Sequence, residues 1–514
     1  MVVSVSQAMS RGFWYNVNIM KKLTLLAVVA AALAVHAKID MGTPFTDGVV
    51  LQRDRAVPVW GKAQANTKVI VEFAGVEVST RALSDGSWKV ELPAMKASKE
   101  NRIMRVSEEG GEKIELKDVL VGEVWMCSGQ SNTDCPIWAN GPRYRDGSGA
   151  MMLLSTYKPF VRLVKTPHVA SVTPRRGYKA TWMSMTPDMY DAFKKGVRLP
   201  SAMGYYFALE LANALDIPVG LVDSSWGGTN IDAWTPPSGY EKRMELADVA
   251  ALPRLNKDDF GVARSNGVYK GKNIYRGWHQ QPTLLWNGMV AAYAPMACRG
   301  FIWYQGCTNG GEPERYASKM HALYDGWAKE FKNPSLKLYF VQLAPYVHNW
   351  TGICAAQNKF ADEEKNAGIA VISDVGNFWD IHPNDKRTVG KRLSLLALKR
   401  DYGCERIKAE SPVFRSVKFT DNTAEMTFDN VENWYVYADD RSVEPAFEMA
   451  GADGKWHHAK LKNVDGSGNV KGKTLVVVCD KVAKPVQVRY MYKNQTSGTL
   501  YNEGNLPLGP FLGK

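Results

Sequence analysis

Between Val119 and about Gly403 this chain alternates short apolar runs with stretches of helical period. That alternation constrains the fold more than any other feature. Residues 123–127, 219–222, 301–304, 336–341 and 369–372 read as short buried strands. Residues 201–215 read as a helix, with Met203, Phe207, Leu211 and Leu215 on one face and Asp216-Ile217-Pro218 at its end. Helices also fit 314–331 and 386–399. Such a pattern implies a mostly parallel sheet covered on both faces. Ligands then sit beyond the carboxyl ends of the strands.

The flanks differ. Residues 69–73 and 88–92 are strand-like, with a turn at Asp85-Gly86, and suggest a sandwich ending near Lys117. From Cys404 the chain is β-rich again, at 416–419, 424–428, 475–478 and 486–490. A chain of 514 residues exceeds one core, so several domains are expected. The expected division is a leader at 1–37, a β-rich domain at 38–118, an α/β domain at 119–403 and a second β-rich domain at 404–514. Residues 238–281 are polar, rich in Gly, Lys, Arg and Asn, and read as an insertion near the cleft.

Lys and Arg outnumber Asp and Glu by 64 to 52, a net charge of +12. The charges are dispersed and read as solvated surface, so no nucleic-acid partner is expected. Met20-Lys21-Lys22 and the apolar run 23–35 resemble a secretory signal, too short to span a bilayer, with cleavage expected after Ala37. Met20 is then the expected start, and the mature chain would carry +9 once Arg11, Lys21 and Lys22 are gone. The expected location is the periplasm or the exterior, with no transmembrane segment in the mature chain. Seven cysteines without a C-x-x-C spacing imply a fold independent of disulfides. There is no H-E-x-x-H, no cysteine pair and no phosphate loop, so neither metal nor cofactor is expected.

Ser128-Gly129-Gln130-Ser131-Asn132 follows the strand at 123–127. A glycine-containing turn there can lift the Ser131 hydroxyl above the sheet edge, although many serines in this position only form turns. Trp379-Asp380-Ile381-His382-Pro383 supplies the candidate base, one of eight histidines. Two residues apart in an extended segment, Asp380 and His382 point to one side. Asp380 could hold the ring while Nε2 meets Ser131, with Asp374 the fallback acid. Gly227 or Gly228 could bring a backbone N–H to a substrate carbonyl, or merely make a tight turn. Asn309 could cap a helix ahead of Pro313. Trp226, Trp234, Trp286, Trp303 and Trp379 lie around these segments, as core or as platforms for sugar rings.

Four ordered blocks carry a resemblance: Ser131's, Ser224-Ser225-Trp226-Gly227-Gly228-Thr229-Asn230-Ile231-Asp232-Ala233-Trp234, Gly300-Phe301-Ile302-Trp303-Tyr304-Gln305-Gly306-Cys307-Thr308-Asn309, and His382's. The chain resembles the sialate O-acetylesterase family of the SGNH-hydrolase superfamily from about Phe45 to Phe511. The resemblance implies a three-layer α/β/α catalytic domain between β-sandwich-like regions. It implies Ser131, His382 and Asp380 as catalytic, and an oxyanion hole from the Ser131 N–H, a glycine (Gly228 preferred) and the Asn309 amide. Gln130, Gln305 and Trp226 would lie beside them or touch substrate. The family usually has Gln-Gly-Glu where Cys307 replaces the acid. The resulting expectation is a serine esterase removing O-acetyl groups from carbohydrate, sialic acid foremost. Acetylated xylan is the alternative target, and a carbohydrate-binding protein with a silent core the alternative class.

Overall fold

The computed structural model describes residues 39–137, 158–175, 177–186, 189, 192, 195–265, 275, 277–376, 379–436, 446–465, 469–492 and 499–514. The leader expected at 1–37 and part of the 238–281 insertion lie outside them.

The sheet that positions the site is built on one long strand. Labelled in chain order, its strands and partners are β1 (Val50–Gln52), β2 (Ser98–Glu108), β3 (Lys113–Gly129), β4 (Lys158–Lys165), β5 (Met183–Met185), β6 (Val219–Ser225), β7 (Gly300–Tyr304), β8 (Lys337–Val341) and β9 (Ala367–Ala370). Their order is β5-β4-β6-β3-β7-β8-β9. All are parallel except the edge strand β5. β3 is central, and the chain leaves it first toward β4 and β6 and later toward β7. Its carboxyl end is therefore a topological switch point, where a crevice opens.

Among the described residues four helices cover the sheet: α1 (Ala202–Leu215), α2 (Pro313–Glu330), α3 (Thr351–Glu363) and α4 (Lys386–Asp401). Ser201 caps α1, its side chain accepting from the Gly204 N–H, and Asp216 ends it in the left-handed region at φ 54°. α1 packs with α4, and α2 with α3. The pairs contact different sides. Tyr339 meets Trp125, which meets Phe207 of α1, whereas its neighbour Phe340 meets Phe360 of α3. Consecutive strand residues point to opposite faces. Strands buried on both faces explain the near-continuous apolar runs of β3, β6 and β7.

The boundary expected at 118 falls inside β3. This strand pairs antiparallel with β2 in its first half and parallel with β1 at Leu120–Gly122, then parallel with β6 and β7. Asp118 interrupts it with a φ of 58° and forms an ion pair with Arg162. The sequence pattern changes at this polar residue, but the ladder continues through it. One apolar core accordingly runs from Ile39 to Ala409. The region after 412 has its own core, under a seven-stranded sheet from Val413–Thr420 to Phe511–Gly513. No sheet combines strands of the two β-rich regions among the described residues.

α3 and β4 were not legible in the sequence. Gly352 and several polar residues dilute the period of α3. Half of β4 lacks full burial, so its sequence alternates less clearly. No disulfide joins any of the seven cysteines.

Candidate active site

Each of the four blocks follows a strand of the central sheet, and three of those strands are neighbours. Ser131 follows β3, Gly228 follows β6 and Asn309 follows β7, with His382 entering from the loop after β9. Gly129 ends β3 at φ 135°, where a Cβ would collide with the Tyr304 carbonyl. Only glycine fits this approach. It turns the chain into the short helix Ser131–Asp134, and the Ser131 side chain emerges at the edge.

Ser131 Oγ lies 2.9 Å from His382 Nε2. Asp380 Oδ1 accepts from the His382 backbone N–H at 2.9 Å and stands 3.3 Å from the ring Nδ1. The carboxylate thus holds the loop and lies beside the ring. Asp374 is elsewhere: its two oxygens take a forked pair of bonds from Arg392, at 2.6 and 2.7 Å.

The Ser131 N–H heads a helix and has no partner among the described residues, and neither does the Gly228 N–H. Gly228 has a φ of 73°, and its carbonyl accepts from Gln280 at the end of the insertion. Gly227 differs: its N–H donates to Asp134 Oδ2 at 3.2 Å, and a Cβ there would stand 3.3 Å from that of Ser131.

Asn309 is 1% exposed. Its Oδ1 accepts from the Ile231 N–H at 3.1 Å and from Gln305 Nε2 at 2.7 Å, which fixes the direction of Nδ2. Nδ2 donates to Glu312 Oε1 at 2.5 Å. Lys319 Nζ sits between Glu312 and Asp232, at 2.7 and 2.8 Å, so each buried carboxylate shares this one ammonium. The cap of α2 is Glu312, so Asn309 is not a helix cap. Gln130 Oε1 accepts from the Gly306 and Thr308 N–H groups and ties the first block to the third. Cys307 is half-buried against the apolar core, and burial pushes its thiol up to about 12.

Trp226 is clamped. His168 stacks on one face at 4.5 Å and His279 on the other at 4.7 Å, both nearly parallel. Neither face is open to a sugar. Burial and the neighbouring His168 lower the basicity of His279. Trp234, Trp286 and Trp303 are core residues, while Trp379 is 77% exposed beside the His382 loop.

A charged network beneath Ser131 escaped sequence reasoning. Asp134 Oδ1 meets Lys165 Nζ at 2.7 Å and Oδ2 meets Arg198 Nη2 at 2.6 Å, while Lys165 also binds Asp223 at 2.9 Å. Burial alone would raise the Asp134 carboxyl, but His168, Lys165 and Arg198 hold it at about 2. Asp223, wholly buried, is pushed upward by desolvation. Asp134 lies one helical turn after Ser131, which is the only signal the sequence carried. No metal-binding cluster occurs among the described residues.

A hydroxyl facing an imidazole, with a carboxylate behind it and free amides beside it, is equipped for acyl transfer. Known proteins agree. The family model for carbohydrate esterases, sialic acid-specific acetylesterase, matches residues 268–393. The human sialate O-acetylesterase is 26% identical over 402 residues, covering 71% of this chain and 71% of its own. The Rattus norvegicus sialate O-acetylesterase is 24% identical over 417 residues, covering 72% and 75%. The crystal structure of a carbohydrate acetylesterase from Xanthomonas citri superposes with a TM-score of 0.77 at 31% identity, covering 93% of this chain and 100% of that one. This chain belongs to the carbohydrate acetylesterases, and it is similar to the sialate O-acetylesterases among them. The esterase is a carboxylic ester hydrolase. No helix among its described residues is long and apolar enough to cross a membrane.

Proposed function

We propose that this esterase removes O-acetyl groups from carbohydrate, sialic acid foremost, through an acetyl-enzyme on Ser131. The observation that carries the reading is the 2.9 Å approach of Ser131 Oγ to His382 Nε2 at the carboxyl edge of the sheet. In this reading His382 takes the hydroxyl proton as Oγ adds to the acetyl carbonyl, then delivers it to the departing sugar oxygen. Water follows the same route: it gives a proton to His382 as it attacks the acetyl-enzyme, and His382 returns that proton to Ser131 Oγ as the Oγ–acyl bond breaks and acetate leaves. Asp380 stabilises the imidazolium formed in each step. The Ser131 and Gly228 amides and Asn309 Nδ2 receive the oxyanion, with Gln305 holding Asn309 and Gln130 holding the loop before it. Trp226 shapes the wall of the cleft.

We read the sheet-and-helix region at 119–403 as the catalytic unit, of the SGNH three-layer type, with β-sandwich-like regions at 38–118 and 404–514, the first continuous with it through β3 and a shared core. The basic start and apolar run within 1–37 support export to the periplasm or the exterior. The test is acetate release by the purified chain from an aryl acetate, then from acetylated sialic acid and acetylated xylan. Ser131→Ala should abolish release without changing the unfolding midpoint, because a half-buried turn serine contributes little packing. Activity of Ser131→Ala within a few-fold of wild type would sink the mechanism. Preference for xylan would move the substrate and leave the chemistry. No release by the wild type from any of them would favour a binding protein.

A further inference from the structure

We infer that Lys386 is a positioning residue that, together with Asn132, pins the loop carrying His382 to the helix carrying Ser131. The two reacting side chains come from segments 251 residues apart, yet must hold a separation of 2.9 Å. Two hydrogen bonds join those segments, and a third braces the His382 loop against its own helix. Asn132 Nδ2 donates to the Ile381 carbonyl at 3.0 Å. Lys386 Nζ donates to Asn132 Oδ1 at 2.5 Å and to the Pro383 carbonyl at 2.7 Å. The bonds therefore grip the loop on both sides of His382 and hold it to the residue next to Ser131. Both side chains are 1% exposed, so water cannot replace them.

The setting of Lys386 argues for function over stability. The other deeply buried ammonium groups are compensated: Lys319 lies between Asp232 and Glu312, and Lys165 between Asp134 and Asp223. Lys386 has no carboxylate within ion-pair distance among the described residues, only two neutral oxygens and the face of Tyr304 at 5.7 Å. Burial consequently lowers its basicity to about 8, against the pull of Cys135 and Asp380. An apolar side chain would fill the same volume without stranding a charge. What the ammonium supplies is a pair of aimed donors, and the neutral amine keeps two N–H groups for the same two acceptors.

The inference rests on the Ser131–His382 reading, and the experiment separates the two. Lys386→Met and Asn132→Ala are assayed on an aryl acetate, alone and in the His382→Ala background, with unfolding midpoints measured in parallel. Loosening the loop by about 1 Å should lower kcat by about 10²-fold while KM stays within a few-fold. In the His382→Ala background the same substitutions should change the residual rate less than two-fold, because nothing remains to be aimed. A purely structural Lys386 would lower the rate equally in both backgrounds. Folded Lys386→Met with wild-type kcat, or equal losses in both backgrounds, overturns the inference. If Lys386→Met does not fold, Asn132→Ala is decisive by the same comparison. An active Ser131→Ala would instead bring down the underlying mechanism.

Discussion

Replacing Asn309 by alanine tests the oxyanion hole, and the structure fixes what else must happen. The buried amide accepts from the Ile231 N–H and Gln305 Nε2 and donates to Glu312. Gln305 keeps Thr229 and Glu312 keeps Lys319, but the Ile231 N–H loses its partner. One stranded buried donor costs about 1–3 kcal/mol. Asn309→Ala should therefore destabilise, whatever its catalytic role. Its kcat should also fall by about 10²–10³-fold, the usual effect of losing one oxyanion donor. KM should change little, since the bond strengthens in the transition state. The two effects do not mimic each other. A domain of about 5 kcal/mol stability that loses 3 remains well over nine-tenths folded, so unfolding removes only a few per cent of the rate. The assay is kcat on an aryl acetate well below the unfolding midpoint, with the midpoint measured on the same sample. A lowered midpoint with kcat within a few-fold of wild type would refute the role of Asn309 as donor.

His382→Ala should lower kcat about as much as Ser131→Ala, and the double variant should be no worse, because the pair acts as a unit. Asp380→Asn should cost less than His382→Ala, as it leaves an oxygen for the His382 N–H; unchanged kcat would remove Asp380 from the mechanism. Asp134 should make stability sensitive to acid. Its carboxyl is held at about 2, below the ordinary 3.8, so its contribution is full above about pH 4 and is lost as pH falls toward 2. The contribution is about 2 kcal/mol. Acid titration of the unfolding free energy should show a shallower decline between pH 4 and 2 in Asp134→Asn than in wild type, and parallel curves would contradict the assignment.

Where the sequence was informative, the reason is local. β6, β7 and α1 are written in their own periods and ends, and the glycines after the strands mark the turns that bring the blocks together. Ser131 and His382 are candidates from residue type and placement, and the resemblance carried by the four blocks pairs them. The remainder depends on partners far apart in the chain. Asp134 draws on Lys165, His168 and Arg198, which belong to separate segments, and a charge in a sequence does not announce its burial. Lys386 reads as one more surface lysine at the start of a helix. Trp226 looks like a sugar platform until His168 and His279 are seen on its two faces. The break expected at 118 falls at a kink within a strand, because the change of pattern between Lys117 and Val119 looks like a boundary when the ladder partners are unknown.

The continuity of β3 has an evolutionary consequence. The last region, with a core of its own, could be exchanged or lost by recombination near residue 412 while leaving the central sheet whole. The first region could not be treated as a cassette. Its strand β2 is the ladder partner of the same 17-residue ribbon whose far end turns into Ser131, and β1 covers that ribbon at Leu120–Gly122. A chain opening at 119 would expose Val119, Leu120 and Val121, all now buried, along an unpaired edge. Descendants of this esterase should therefore vary freely in their carboxyl-terminal region, but inherit the amino-terminal one together with the nucleophile.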